Sequence, residues 1–99
     1  MSRKLEVVEQ ALSDLAAAFL WYEQQRENLG MEFLEEWENT ATYIVEHPEN
    51  CQKKYKEFRQ AILKRFPYLV TYEIEGDSVV VYSVKNAKQH PLKHYKKLH

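Results

Sequence analysis

The chain has one cysteine, two glycines and three prolines in 99 residues. With Cys51 alone no intrachain disulfide can form, so packing must hold the fold and a reducing compartment is expected. Gly30 and Gly76 are the only glycines, which excludes the glycine-rich loops that cradle phosphates and dinucleotides. No apolar run is long enough to cross a bilayer, and the N-terminus lacks the apolar stretch of a secretory signal. A cytoplasmic protein with no membrane partner is therefore expected. The length suits one domain with one core over residues 1–99.

What is present is charge, unevenly placed. The net charge is only −1, yet residues 1–49 carry three Lys/Arg against eleven Asp/Glu, and residues 50–99 carry eleven against four. Such asymmetry fits a surface that faces a polyanion. It also fits two faces of opposite sign that attract each other or a second copy.

Periodicity gives the elements. Residues 4–7 are a short strand candidate. From Glu9 the period becomes helical, with Leu12, Leu15, Phe19 and Tyr22 as an apolar stripe flanked by Ala11, Ala18 and Trp21. Asn28-Leu29-Gly30 should end this helix, with Gly30 in a left-handed turn. A second helix follows, with Glu32 and Glu35 in its first turn and Phe33, Leu34, Trp37, Ala41, Ile44 and Val45 on its apolar face. His47-Pro48 stops it. So short a connection makes the pair an antiparallel helical hairpin. Trp21, Tyr22, Phe33 and Trp37 read as core that covers a sheet.

Residues 49–56 are a polar, basic loop that runs into a strand over about Tyr55–Leu63. Lys64-Arg65 turns into a β-hairpin whose arms are Phe66–Glu75 and Ser78–Val84, rich in aromatic and β-branched residues and joined by Gly76-Asp77. Phe66, Tyr68, Val70, Tyr72 and Ile74 share one face, while Leu69, Thr71, Glu73 and Glu75 form a wetter one. After Val84 the chain is basic and irregular.

Among candidate chemistries, metal binding is not expected. His90, His94 and His99 have no cysteine or carboxylate near them in sequence, and structural zinc wants four such ligands. Cys51 lacks the surroundings of a nucleophile, and no cofactor motif is present. The cations Lys53, Lys54, Lys56, Arg59, Lys64, Arg65 and Lys88 lie close in sequence to Tyr68, Tyr72, Tyr82 and Tyr95. Gathered on the sheet face away from the helices, they would suit phosphates, with tyrosines to stack on unpaired bases.

The runs Ala11–Leu15, Trp21-Tyr22-Glu23-Gln24-Gln25 and Leu29–Leu34 together resemble the helical hairpin of the RelE/ParE toxins. The likeness continues through Ile44, Pro48, Arg59, Arg65-Phe66-Pro67-Tyr68, Tyr72, the Val79–Val84 strand and Pro91. The resemblance implies an α+β fold of order β-α-α-β-β-β, with the helical hairpin on one face of a small antiparallel sheet. It also implies the toxin of a bacterial type II toxin–antitoxin pair, bound by a cognate antitoxin and compatible with a homodimer. Members act as ribosome-associated mRNA endonucleases or as DNA gyrase poisons, and others have no activity. Cleavage of mRNA is the first expectation here; the alternatives are a non-enzymatic gyrase inhibitor and an inactive member.

In the nuclease branch, Arg59, Lys54, Lys56 and Lys88 would hold the cleaved phosphate and Tyr95 would move the proton. Lys53, Lys64, Arg65 and Tyr68 would bind RNA. Asn86 stands where members often carry a histidine, and Lys88 or Gln89 stands near an arginine position. Lysine lacks the planar fork that arginine offers phosphate.

Overall fold

Each change of period in the sequence becomes a change of element. A computed structural model describes residues 3–88. Strand β1 (Lys4–Val7) leads into helix α1 (Glu9–Gln25) and helix α2 (Leu29–Glu46). A 3-10 turn at Pro48–Asn50 precedes β2 (Lys53–Tyr55), β3 (Phe58–Ile62), β4 (Tyr68–Glu75) and β5 (Ser78–Asn86). The sheet order is β1-β5-β4-β3-β2. β2 to β5 form an antiparallel meander, and β1 adds in parallel beside β5. The fold is α+β, with the helical hairpin packed on one face as expected. Because β1 enters in parallel, the sheet is mixed.

The core lies between the helices and that face. Phe33 and Ile44 of α2 meet Val70 and Tyr72 of β4 and Val79 and Val81 of β5, all fully buried. Tyr22, Phe33, Phe66 and Tyr68 form an aromatic cluster, with ring centroids 4.8 to 5.9 Å apart. Edge-to-face pairs of this kind add to the free energy of area burial.

Three local readings are corrected. The buried side of α1 is Ala11, Leu15 and Ala18, while Leu12 and Trp21 are 54% and 57% exposed. Leu12 follows Ala11 by one residue, about 100° around the helix, and the small alanines face the sheet instead. The left-handed residue between the helices is Asn28, at φ 72°, not Gly30. Gly30, the second residue of α2, lies so close to α1 that a Cβ would meet the Phe19 carbonyl oxygen at 2.6 Å. The Glu23 carboxylate accepts from the N–H groups of Asn28 and Gly30 at 2.8 and 2.9 Å, which fixes the corner.

The third correction concerns the strand read over Tyr55–Leu63. It is split by a turn in which Lys56 has φ 51°, so Lys53 faces Arg59 across a hairpin rather than along one strand. β5 also carries a bulge. Thr71 pairs with Ser83 but Tyr72 pairs with Val81, which leaves Tyr82 as an extra residue. The shift lets Val79, Val81 and Val84 all reach the core.

Candidate functional site

Arg59, the cation expected to meet phosphate, turns toward the helix-covered side. It is the register partner of the buried Tyr72. Its Nη1 donates to the carbonyl oxygens of Cys51 at 2.6 Å and Glu49 at 3.4 Å. Beside it the Tyr72 hydroxyl donates to the Pro48 carbonyl at 2.6 Å. Burial, followed by contact with Cys51, pushes the Tyr72 phenol well above its usual range, so it remains a protonated donor. Together these groups tie the 48–51 segment to the sheet.

The other cations are dispersed. Lys53 pairs with Glu57 at 3.0 Å, and Lys56 lies over the Tyr55 ring at 5.3 Å. Lys54 is exposed on the short edge strand β2. At the far end of β3, the Lys64 N–H donates to Glu36, and Arg65 pairs with Glu32 at 2.7 Å. Glu32 also takes Arg26, and the hydrogen bond from Arg65 is the largest cause holding its carboxyl below the usual range. Tyr68 is in the aromatic cluster. Lys88 follows β5, its N–H donating to the Asn86 side chain at 2.9 Å. Tyr95 and the three C-terminal histidines lie outside the described residues.

Arg59 stands opposite Tyr72, and Asn86 stands opposite Tyr68. Those β4 partners are four residues apart, about 13 Å along a strand. The structure therefore does not bring Arg59 and Lys88 together. Lys53, Lys54 and Lys56 belong to one end of β3, and Lys64, Arg65 and Lys88 to the other. The expected single cationic patch on the uncovered face is corrected accordingly. Glu32 and Glu36 of α2 reach the β3–β4 connection and take its donors, while Arg59 serves the backbone.

The face away from the helices carries a different set, and its Thr71 and Ser83 are themselves buried. Phe58 meets Tyr82 edge to face at 5.4 Å, and Gln60 donates to the Thr71 hydroxyl. The Tyr82 hydroxyl lies 3.1 Å from a Glu73 carboxylate oxygen and 2.7 Å from a Glu75 one. One phenolic proton cannot satisfy both carboxylates. Burial, and then the neighbouring Glu75, raise the Glu73 carboxyl above its usual range. This end of the face is acidic, the wrong sign for phosphate.

A cleft forms instead where β1 stops and the edge of β5 opens toward α1. It holds about 370 Å³ and is lined by Asp14, Ala17, Trp21, Tyr68, Lys85 and Asn86 among others. Asp14 organises it, accepting from the Val84 N–H at 3.0 Å and from the Lys85 ammonium at 2.8 Å. Burial raises the pKa of the Tyr68 phenol, hydrogen bonds with Asn86 and Tyr22 oppose that shift, and the Asp14 charge adds a smaller push upward. Leu20 and Trp21 are exposed apolar residues of α1 on this side, whereas Leu12, nine residues before Trp21, lies half a turn round on the opposite flank of the helix.

An apolar wall beside a polar strand edge is suited to a peptide segment. No described nucleophile–base pair sits in this cleft, and no described group of three His, Cys, Asp or Glu side chains could hold a metal ion. The sequence reading assigned Trp21 to the core and missed this surface. The available signal was surplus: α1 has apolar residues on more than the one stripe that a sheet can bury.

A family model described as the ParE toxin of the type II toxin–antitoxin system parDE matches residues 5–91. No curated protein sequence matches the chain. Among solved structures, a chain of the chromosomal ParDE toxin–antitoxin system from P. aeruginosa superposes with a TM-score of 0.76 at 12% identity, covering 86% of this chain and 96% of that one. The isolated E. coli RelE toxin gives 0.65 at 18% identity, with 99% and 100% covered. A chain of the E. coli DinJ–YafQ toxin–antitoxin complex gives 0.62 at 10%, with 89% and 96% covered. At such identities the structural likeness is one of fold.

Proposed function

Because the chain belongs to the ParE toxin family of type II toxin–antitoxin systems, we propose that this toxin arrests growth by binding a protein, DNA gyrase, rather than by cutting mRNA. The observation that carries the reading is the engagement of Arg59 with the Cys51 and Glu49 carbonyls. An RNA-cleaving centre needs cations free to meet a developing negative charge. Here the best-placed arginine is held by backbone, and Lys88 stands at the opposite end of the sheet. On this reading Lys54, Lys56 and Lys88 are solvated charges. Lys53, Lys64 and Arg65 hold their local connections, and Tyr68 is a core aromatic that reaches the cleft.

The partner that neutralises the toxin is a cognate antitoxin, seated against the α1 surface of Leu20 and Trp21 and in the adjoining cleft. An exposed apolar strip beside an open strand edge is what such a segment covers. Among the described residues no helix is long and apolar enough to cross a membrane. Action in the cytoplasm, with residues 1–99 as one domain, fits the proposal.

The test is to induce the chain in bacteria while following protein synthesis and plasmid supercoiling in the same culture. Relaxed or trapped DNA, appearing while translation continues, is the expected result. Immediate loss of translation with cleaved mRNA would overturn the proposal and restore the nuclease reading.

A further inference from the structure

The outer edge of β1 has no described strand beside it, since β1 ends the sheet order. The N–H groups of Lys4 and Val8 donate to the Asp77 and Val81 carbonyls, so the even-numbered residues face β5. Alternation then points the backbone N–H and C=O groups of Arg3, Leu5 and Val7 away from the sheet. Such an edge is a template for another strand. The Leu5 side chain lies on the helix side, in a groove of about 510 Å³ with Trp37, Ala41 and Val45, rimmed by Glu38 and Glu46. Lys4 and Glu6 alternate onto the other face, where the Ser78 hydroxyl donates to Glu6 at 2.8 Å.

We propose that this edge pairs with β1 of a second copy of the chain, antiparallel about a two-fold axis through Leu5, to make one sheet across the dimer. The sequence of the edge selects this register. Outward-facing groups can meet outward-facing groups only with the axis at Lys4, Leu5 or Glu6. An axis at Lys4 sets Lys4 directly opposite its own copy, and an axis at Glu6 does the same with Glu6. Both place like charges in the closely spaced, non-hydrogen-bonded pairs, which is unfavourable.

The axis at Leu5 sets Lys4 opposite the partner's Glu6 on both sides of the two-fold. It also makes Leu5 a hydrogen-bonded pair with the partner's Leu5, closing the two apolar grooves against each other. Arg3 and Val7 complete the ladder. An isologous contact of this kind closes on itself as a dimer and does not propagate. The proposed edge is separate from the α1 cleft and does not depend on which target the toxin binds.

The experiment is sedimentation equilibrium on the full chain, free of any partner, over a range of concentrations. A reversible monomer–dimer equilibrium is expected. Lys4→Glu should weaken dimerisation roughly tenfold or more, because both cross-strand pairs turn repulsive together. The double swap Lys4→Glu with Glu6→Lys should recover it, since opposite charges again face each other. In a Cys51→Ser background, Leu5→Cys should give a disulfide-linked dimer on mild oxidation, because a hydrogen-bonded pair brings Cα atoms to about 5.5 Å. Lys4→Cys should not crosslink, as the two copies of position 4 lie on either side of the axis, two positions apart along the strands.

A chain that stays monomeric at every concentration and gives no Leu5→Cys crosslink overturns the proposal. So does equal crosslinking from positions 4 and 5. Failure of the double swap to restore association, in protein whose circular dichroism matches the parent, overturns the register.

Discussion

The Arg59 guanidinium lies 2.6 Å from the Cys51 carbonyl oxygen, so the most conspicuous arginine of the sheet is bonded to its own backbone. If that is its role, Arg59→Ala acts on stability. Hydrogen bonds from a charged donor contribute about 1.5–3 kcal/mol, and the Glu49 and Cys51 carbonyls would lose theirs. The urea midpoint should fall by a corresponding amount, and growth arrest should weaken only as far as folded protein is lost. Complete loss of arrest at an unchanged midpoint would instead make Arg59 a contact residue for the target.

Tyr72 supports the same segment from inside. Its ring is fully buried and its hydroxyl donates to Pro48 at 2.6 Å. Tyr72→Phe keeps the shape but leaves a buried carbonyl without its donor, at a cost of about 1–3 kcal/mol. For a domain of this size that should lower Tm by on the order of 10 °C. Differential scanning calorimetry reads the change directly. A Tm within a degree of the parent's would show that water replaces the lost donor.

The helices and the central hairpin were legible because each depends on local pattern. The period of α2, the proline at its end and the Gly76-Asp77 connection all act over a few residues, and the observed β4 and β5 begin and end close to the expected arms. Pairing across the fold was not legible. Nothing local announces that Tyr82 is an extra residue in β5, that β1 enters beside β5 in parallel, or that Arg59 faces carbonyl groups. Lys56 shows the limit well: it falls inside the strand expected over about Tyr55–Leu63, but its positive φ makes it a turn and breaks the alternation there. The resemblance supplied the fold order and the antitoxin partner. It could not show that Glu32 and Glu36 would occupy donors of the Lys64-Arg65 connection.

The Glu73–Glu75–Tyr82 cluster predicts a pH effect. Burial and Glu75 raise the Glu73 carboxyl above its usual 4.5. A group whose folded pKa is raised contributes stability that is full below its unfolded value and is lost as pH rises through the folded one. Glu73→Gln removes that loss and keeps an acceptor for the Tyr82 hydroxyl. The variant should therefore be more stable than the parent at pH 7, with the difference closing below about pH 4. The lowered Glu32 runs the other way: its contribution is present above its unfolded pKa and lost as pH falls through the folded one. That acid loss is common to both proteins, so comparing them at each pH isolates Glu73. A constant difference from pH 4 to 7 would exclude ionisation as its cause.

Trp21 tests the seat of the antitoxin. It is 57% exposed on α1 beside the Asp14 cleft, so a substitution there leaves the core packing in place. Trp21→Glu should change the stability of the free toxin by less than about 1 kcal/mol. Tryptophans at the centre of an interface cost 2 kcal/mol or more when removed, roughly thirtyfold in affinity, and a buried carboxylate adds to that. Calorimetric titration with the product of the adjacent gene should show the loss. Growth arrest by the variant should then escape rescue when that product is co-expressed. If arrest is still rescued and the affinity is unchanged, the antitoxin must lie elsewhere, and the exposed surface of α1 would belong to the target instead. A variant that neither binds the antitoxin nor arrests growth would place both partners on the same helix, so that neutralisation works by direct competition for it.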